Sequence, residues 1–145
     1  MNENRFEAMV VSYSPGPFEF NKEVRDRIKL ESLKFSVASR LRYTDDSDFV
    51  GLQIDVLVDQ EEGRLLTFGF VAGLKISDWV KTLKDGIDLT ADRSPLIPAC
   101  EKVWDMAIGI VASRTYDDKP GFILPPISAA RIAEDTILLN SKKSV

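Results

Sequence analysis

The sequence contains no histidine. That absence removes the usual general base at neutral pH, the commonest metal ligand, and every serine or cysteine arrangement that depends on an imidazole. Cysteine is nearly as scarce. Cys100 stands alone among 145 residues, so neither an internal disulfide nor a cysteine zinc cluster can form. It falls on the apolar side of an expected helix, where a buried structural thiol is the plainer assignment than a nucleophile. Chemistry would have to rest on carboxylates, lysine or tyrosine, and no two acidic residues stand together inside an apolar run where a raised pKa is expected. No catalytic residue, cofactor site or metal site is assigned. Long hydrophobic runs are missing too, and none approaches the roughly 20 residues of a membrane span. The opening Met1-Asn2-Glu3-Asn4-Arg5 leads into an alternating stretch and not into the apolar block of a signal peptide. The expectation is a cytoplasmic protein with no membrane insertion. A basic surplus is absent as well: 19 Lys and Arg against 23 Asp and Glu give a net charge of −4. This weighs against nucleic acid or an anionic membrane as a partner, and suits basic or apolar protein partners.

What is present is a sheet. At 145 residues the chain fits a single domain over 1–145, long enough to bury roughly 70% of the surface its unfolded form exposes. Within it, Leu33, Phe35, Val37, Leu41 and Tyr43 alternate with Lys34, Ser36, Arg40 and Arg42, the two-residue period of a half-buried strand. Val50, Leu52, Ile54, Val56 and Val58 repeat the pattern, and so do Leu66, Phe68, Phe70, Ala72, Leu74 and Ile76. Making the apolar faces coincide sets the register. The first pair needs an odd sum of residue numbers, as with Thr44 opposite Phe49, which leaves Asp45-Asp46-Ser47-Asp48 as the hairpin loop. The second needs an even sum, as with Gln60 opposite Arg64, which leaves Glu61-Glu62-Gly63 with glycine in the left-handed position. On the other face Gly51 then lies opposite Gly73, and Asp55 opposite Gly69 beside Ala38. That strip is either a contact surface for another backbone or a solvated face carrying Arg40, Arg42, Gln53, Asp55 and Asp59.

Before the sheet, the β-rich residues 6–13 predict a first strand ended by Ser14-Pro15-Gly16-Pro17. Phe18 and Phe20 follow in a connecting segment, either as anchors for a partner or as plugs for one edge of the core. After the sheet, Ser77-Asp78 caps a short helix through Trp79, Val80 and Leu83, with Gly86 as the stop. A polar linker covers 87–94. A long helix opens at about Pro95 to Pro98 and runs to about Thr115, with Ile97, Cys100, Val103, Trp104, Ala107, Ile110 and Val111 at helical spacing. Ile108, Leu96 and Ala112 widen this stripe enough to predict a second helix or subunit on its flank. Residues 117–121 form a turn and Phe122-Ile123-Leu124-Pro125-Pro126-Ile127 an extended apolar run. Ser128 caps a last helix through about Leu139, and 140–145 are expected to be a disordered tail.

Four antiparallel strands, a proline-broken crossover, a long helix, an extended leucine-proline segment and a second helix resemble the SecB family of bacterial export chaperones. Leu96-Ile97-Pro98 resembles the family's L-F-P helix start. Gly121-Phe122 and Leu124-Pro125-Pro126-Ile127 resemble its G-F and L-x-P-hydrophobic segment, and Phe6-Glu7-Ala8 its F-E-x-P start without the proline. The likeness covers nearly the whole chain by topology and about a dozen positions by residue. It implies an α+β fold, a four-stranded antiparallel sheet with both helices on one face, assembled as a homo-oligomer, dimer or tetramer. It also implies a chaperone that holds unfolded polypeptide in apolar grooves, without chemistry or cofactor, and hands it to the SecA motor. Phe18, Phe20, Phe122, Ile123, Leu124 and Ile127 are the groove candidates, of which Phe122, Leu124 and Ile127 follow the family pattern. Core packing is the competing role for each. The acidic loop residues Asp45, Asp46, Asp48, Glu61 and Glu62 could face a basic partner or only solvent. Two other functions fit the sequence: a binding protein for one dedicated protein partner, and a curved-sheet small-ligand protein with Asp55 and Arg40 or Arg42 as its polar centre.

Overall fold

The computed structural model describes residues 6–25, 32–61, 63–117 and 120–141. The expectations for Glu62, for Asp118 and Lys119 in the turn, and for the tail over 142–145 lie outside the described residues. The strands are β1 (Ala8–Phe20), β2 (Lys34–Tyr43), β3 (Phe49–Gln60), β4 (Gly63–Ile76) and β5 (Ile137–Asn140). The helices are α1 (Lys22–Arg25), α2 (Trp79–Lys84), α3 (Ile97–Thr115) and α4 (Ala129–Asp135), with a 3-10 turn over Ser94–Leu96 before α3. The sheet order is β1-β4-β3-β2-β5. All neighbours are antiparallel except β2 and β5, which run parallel.

Side-chain parity decides the register as expected. Lys34 pairs with Asp59 and Arg42 with Gly51, and every β2–β3 pair keeps the predicted sum. From Phe49 opposite Lys75 to Val58 opposite Leu66, β3 and β4 keep theirs. Beyond Val58 the pairing shifts, so Gln60 faces Gly63 and not Arg64. Gly63 at φ 136 makes the tight reversal possible without a Cβ penalty.

Three expectations are corrected. The first strand does not end at its prolines. β1 continues to Phe20 through Pro15 and Pro17, with register shifts between Val10 and Ser12 and between Pro15 and Phe18. It can do so because it is an edge strand, where a missing N–H breaks no inner ladder, and because bulges absorb residues that cannot pair. Phe18 and Phe20 are therefore strand residues opposite Phe68 and Leu66, not part of a loop. The last helix stops at Asp135, and Ile137-Leu138-Leu139-Asn140 form a fifth strand, so Asn140 and Ser141, expected in a disordered tail, are held on β2. Thr136 ends the helix by turning its hydroxyl back to the Ile132 carbonyl at 2.7 Å and to Ser39 Oγ at 2.7 Å. Finally, the side chain of Asp78 caps nothing. It sits left-handed at φ 58, and the cap of α2 comes from the β2–β3 loop, where Asp48 Oδ1 accepts from the Val80 N–H at 2.9 Å.

The helices cover the inner face of the sheet. Cys100, Val103, Trp104, Ala107 and Val111 of α3 are buried against Leu52, Ile54, Phe70, Ala72 and Leu74 in one hydrophobic core. Cys100 is 1% exposed, and burial pushes its thiol up to about 11. The wide flank of α3 is covered by the chain itself. The 120–128 segment folds back along the helix, with Gly121 pressed against the Ala112 backbone and the Trp104 Nε1–H donating to the Pro125 carbonyl at 3.0 Å. The outer face carries the glycine strip as paired, and neighbouring side chains fill it at Gly69 and Gly73 but not at Gly51. Asp55 lies across Gly69 and Ser12 across Gly73, where any Cβ would collide with those side chains.

Candidate functional site

Helix length limits how much of the inner face is covered. A seven-residue α4 spans about 10 Å, whereas the ten residues of β2 span about 33 Å. The first half of β2 is left open. Two rows of side chains cross the sheet there: Phe20, Leu66, Val58 and Phe35 in one, and Phe18, Phe68, Val56 and Val37 in the next. Val56, Val58, Leu66 and Phe68 in the middle are buried, while Phe35 at the β2 end is 37% exposed.

At that end a groove of about 370 Å³ runs between the strand and the last helix. Phe35, Val37 and Ser39 of β2 form one wall, and Ile127 with Arg131, Ile132 and Asp135 of α4 the other. Its floor is apolar and its rim carries both charges, with Arg131 and Asp135 3.9 Å apart and well exposed. Such a pair stabilises little in water and leaves both groups free to meet a partner. The groove lies beside the outer edge of β2. β5 pairs only with Arg40, Leu41, Arg42 and Tyr43, so residues 34–39 lie beyond its ladder. A row of backbone groups next to an apolar channel can accept an extended segment as an added strand, with alternate side chains in the channel.

The six residues singled out in the sequence separate into four environments. Ile127 lines the groove. Phe18, Phe20 and Phe122 gather at the opposite edge of the same rows. The Phe18 ring lies 5.7 Å from Phe68 under the Arg114 guanidinium, 4.3 Å away, and the Phe20 and Phe122 rings are 6.2 Å apart. All three are half-buried and close that end of the core. Ile123 is 63% exposed on the extended segment, and Leu124 is 1% exposed, a core side chain and not a groove wall in this chain. Phe35 and Val37 were legible only as strand residues. No sequence signal marks them, because the helical pattern after Ser128 runs on to about Leu139 and only the structure ends the helix at Asp135.

A second hollow, of about 620 Å³, lies at the other end of β2 beneath β5. Tyr43, Leu83, Ile87, Leu89 and Leu138 give it apolar walls, and Asp45, Asp88 and Lys84 stand among its lining. Tyr43 packs edge-on against Trp79 at 5.4 Å. Burial, and then the charge of Asp45, raise its hydroxyl above the ordinary tyrosine range. Asp88 is held below the carboxylate range by the side-chain and backbone hydrogen bonds of Thr90.

Several acidic loop residues have local work. Asp48 caps α2, Asp46 accepts from the Thr44 hydroxyl at 2.8 Å, and Asp45 accepts from Asn140 Nδ2 at 3.1 Å. Asp55, Arg40 and Arg42 stand on the outer face, away from both hollows. Among the described residues no three His, Cys, Asp or Glu side chains gather as a metal site, and no helix is long and apolar enough to cross a membrane.

No protein-family model matches the sequence, and no curated protein matches it. Among solved structures the chain is similar to the Mycobacterium tuberculosis Rv1957 SecB-like chaperone in complex with a ChAD peptide from the Rv1956 HigA1 antitoxin. The similarity has a TM-score of 0.53 and 13% identity, covering 84% of this chain and 88% of that one. The fold is thus that of a SecB-like chaperone, reached at a distance in sequence.

Proposed function

We propose that this protein holds extended polypeptide, without chemistry, in the groove between β2 and α4. The observation that carries this reading is the pairing of an apolar channel, walled by Phe35, Val37, Ile127 and Ile132, with a stretch of β2 edge over 34–39 that β5 leaves unpaired. The two together supply what an unfolded segment presents: apolar side chains and an unsatisfied main chain. The solved SecB-like relative is held with a peptide of another protein, which fits the same use here. In this reading the protein works in the cytoplasm as one domain and a homo-oligomer, dimer or tetramer, with SecA as a candidate downstream partner. Phe18, Phe20, Phe122 and Ile123, at the opposite edge of the sheet, would be a separate second contact for a long bound chain. The peptide-bound relative also favours a variant of this function, in which one dedicated protein is the client.

The test is solution mass by light scattering, with and without reduced and carboxymethylated α-lactalbumin in excess, beside a set of short apolar peptides. A complex of increased mass, weakened about tenfold or more by Phe35→Asp or Ile127→Asp, supports the groove. A monomer that takes up neither the unfolded chain nor any peptide overturns the reading. An oligomer that ignores the unfolded chain but takes one peptide points to a dedicated client.

A further inference from the structure

β5 differs from every other strand of the sheet. It has four residues, forms the one parallel pairing among the described strands, lies at the edge, and leaves Ile137 51% exposed with Leu138 and Leu139 half-buried. Parallel ladders are slightly weaker per residue than antiparallel ones, and short edge segments are the first to open. The residues just before β5 are held in the opposite way. Thr136 is buried, shares its hydroxyl with Ser39 and with the Ile132 carbonyl, and its own carbonyl accepts from Arg93 Nη1 at 2.7 Å. The same Arg93 nitrogen donates to the Ala133 carbonyl at 3.0 Å, so one cation closes the end of α4. The chain is pinned at Thr136. Beyond it, among the described residues, the hydrogen bonds outside the β5 ladder are Asn140 Nδ2 to Asp45 and the Ser141 N–H to the Tyr43 carbonyl at 2.7 Å, with Leu138 packed on the core.

What β5 covers continues the groove. Its seat on β2, Arg40 to Tyr43, follows directly on the 34–39 stretch, which among the described strands pairs with β3 alone, and Leu138 fills one wall of the 620 Å³ hollow. Ile137-Leu138-Leu139 also displays in place the kind of segment this edge accepts: extended, aliphatic and parallel to β2.

From this we infer that β5 is an exchangeable placeholder: an extended aliphatic segment of a bound polypeptide replaces it, so that all ten residues of β2 become one docking edge reaching from the Phe35 groove to the Tyr43 hollow. The hinge is Thr136, and α4 stays in place while β5 leaves. The inference rests on the polypeptide-holding function proposed above.

The experiment uses the full chain with cysteines at Arg42→Cys and Leu139→Cys, which are paired positions facing away from the core. Paired strand positions suit a disulfide, and the oxidised and reduced forms of the one variant are each other's control. The probe is reduced and carboxymethylated α-lactalbumin, and circular dichroism checks that both forms keep the fold. The oxidised form is expected to bind about tenfold or more weakly than the reduced form, because the competent state is no longer populated. A second variant, Leu138→Ser, loosens the seat and is expected to bind several-fold more tightly than the natural chain. Equal binding by oxidised and reduced forms, with the natural chain binding well, overturns the placeholder role and leaves the groove function standing. No binding by any form overturns both.

Discussion

The indole N–H of Trp104 donates to the backbone carbonyl of Pro125 at 3.0 Å, and this bond ties the middle of α3 to the segment folded back along it. The tryptophan is 3% exposed, so its ring packs in the core while its one polar atom reaches the covering chain. Replacing it by phenylalanine keeps much of the ring but strands the carbonyl. Trp104→Phe is expected to lose about 1–2 kcal/mol in urea unfolding. Unchanged stability would show that the bond contributes nothing net.

Gly121 has no room for a side chain. A Cβ there would collide with the carbonyl and Cα of Ala112, backbone atoms of a helix that cannot swing aside. Gly121→Ala is therefore expected to displace the 120–128 segment and lower stability by more than about 2 kcal/mol. Gly109, with nothing near its Cβ position, is the internal control. Gly109→Ala in mid-helix should stabilise by about 0.5–1 kcal/mol.

The two aspartates flanking α2 should respond in opposite directions. Asp48 supplies the side-chain cap from another loop, so Asp48→Ala should cost about 1 kcal/mol. Asp78 holds a left-handed backbone without a side-chain cap bond, so Asp78→Gly should be neutral or stabilising by up to about 1 kcal/mol. Thermal unfolding of both variants decides it, and a larger loss from Asp78→Gly than from Asp48→Ala would reverse the assignment of the cap.

Cys100 gives a pH signature. Its thiol titrates near 9.0 when exposed and is pushed up to about 11 by burial, so the folded state holds the proton more tightly. Its contribution is fully present below about pH 9 and is lost as the pH rises toward 11. In Cys100→Ala that part of the high-pH decline disappears, measured as urea midpoints between pH 8 and 11. In the natural chain the thiol should stay unreactive toward a disulfide reagent at pH 8 until the protein unfolds.

Parity made most of the sheet readable. Once Val37, Val56 and Phe68 had to share a face, the pairing of three strands followed from residue numbers alone, including Gly51 opposite Gly73. The two ends of the sheet were harder to read, for different reasons. Pro15 and Pro17 argue against a strand by every local rule, and only the edge position of β1, a tertiary fact, permits it. Ile137-Leu138-Leu139 continues a helical pattern as easily as a strand. What decides is Thr136, whose hydroxyl finds Ser39, 97 positions earlier in the chain. The groove was half legible: Ile127 was marked by its motif, but Phe35 and Val37 looked like any strand face until the short α4 left them uncovered. Leu124, marked by the same motif, proved to be core.

Pro15 and Pro17 bear on how the protein behaves in a crowded solution. A sheet with two open edges can grow by recruiting strands, and under the proposed function extended chains would meet those edges constantly. On the β1 side the prolines remove two donors and the bulges break the line, so an incoming strand cannot zip along the full edge. On the β2 side β5 covers part of the edge in the chain itself. The β1 margin is thereby closed to continuous strand addition, and runaway stacking into fibrils is discouraged there.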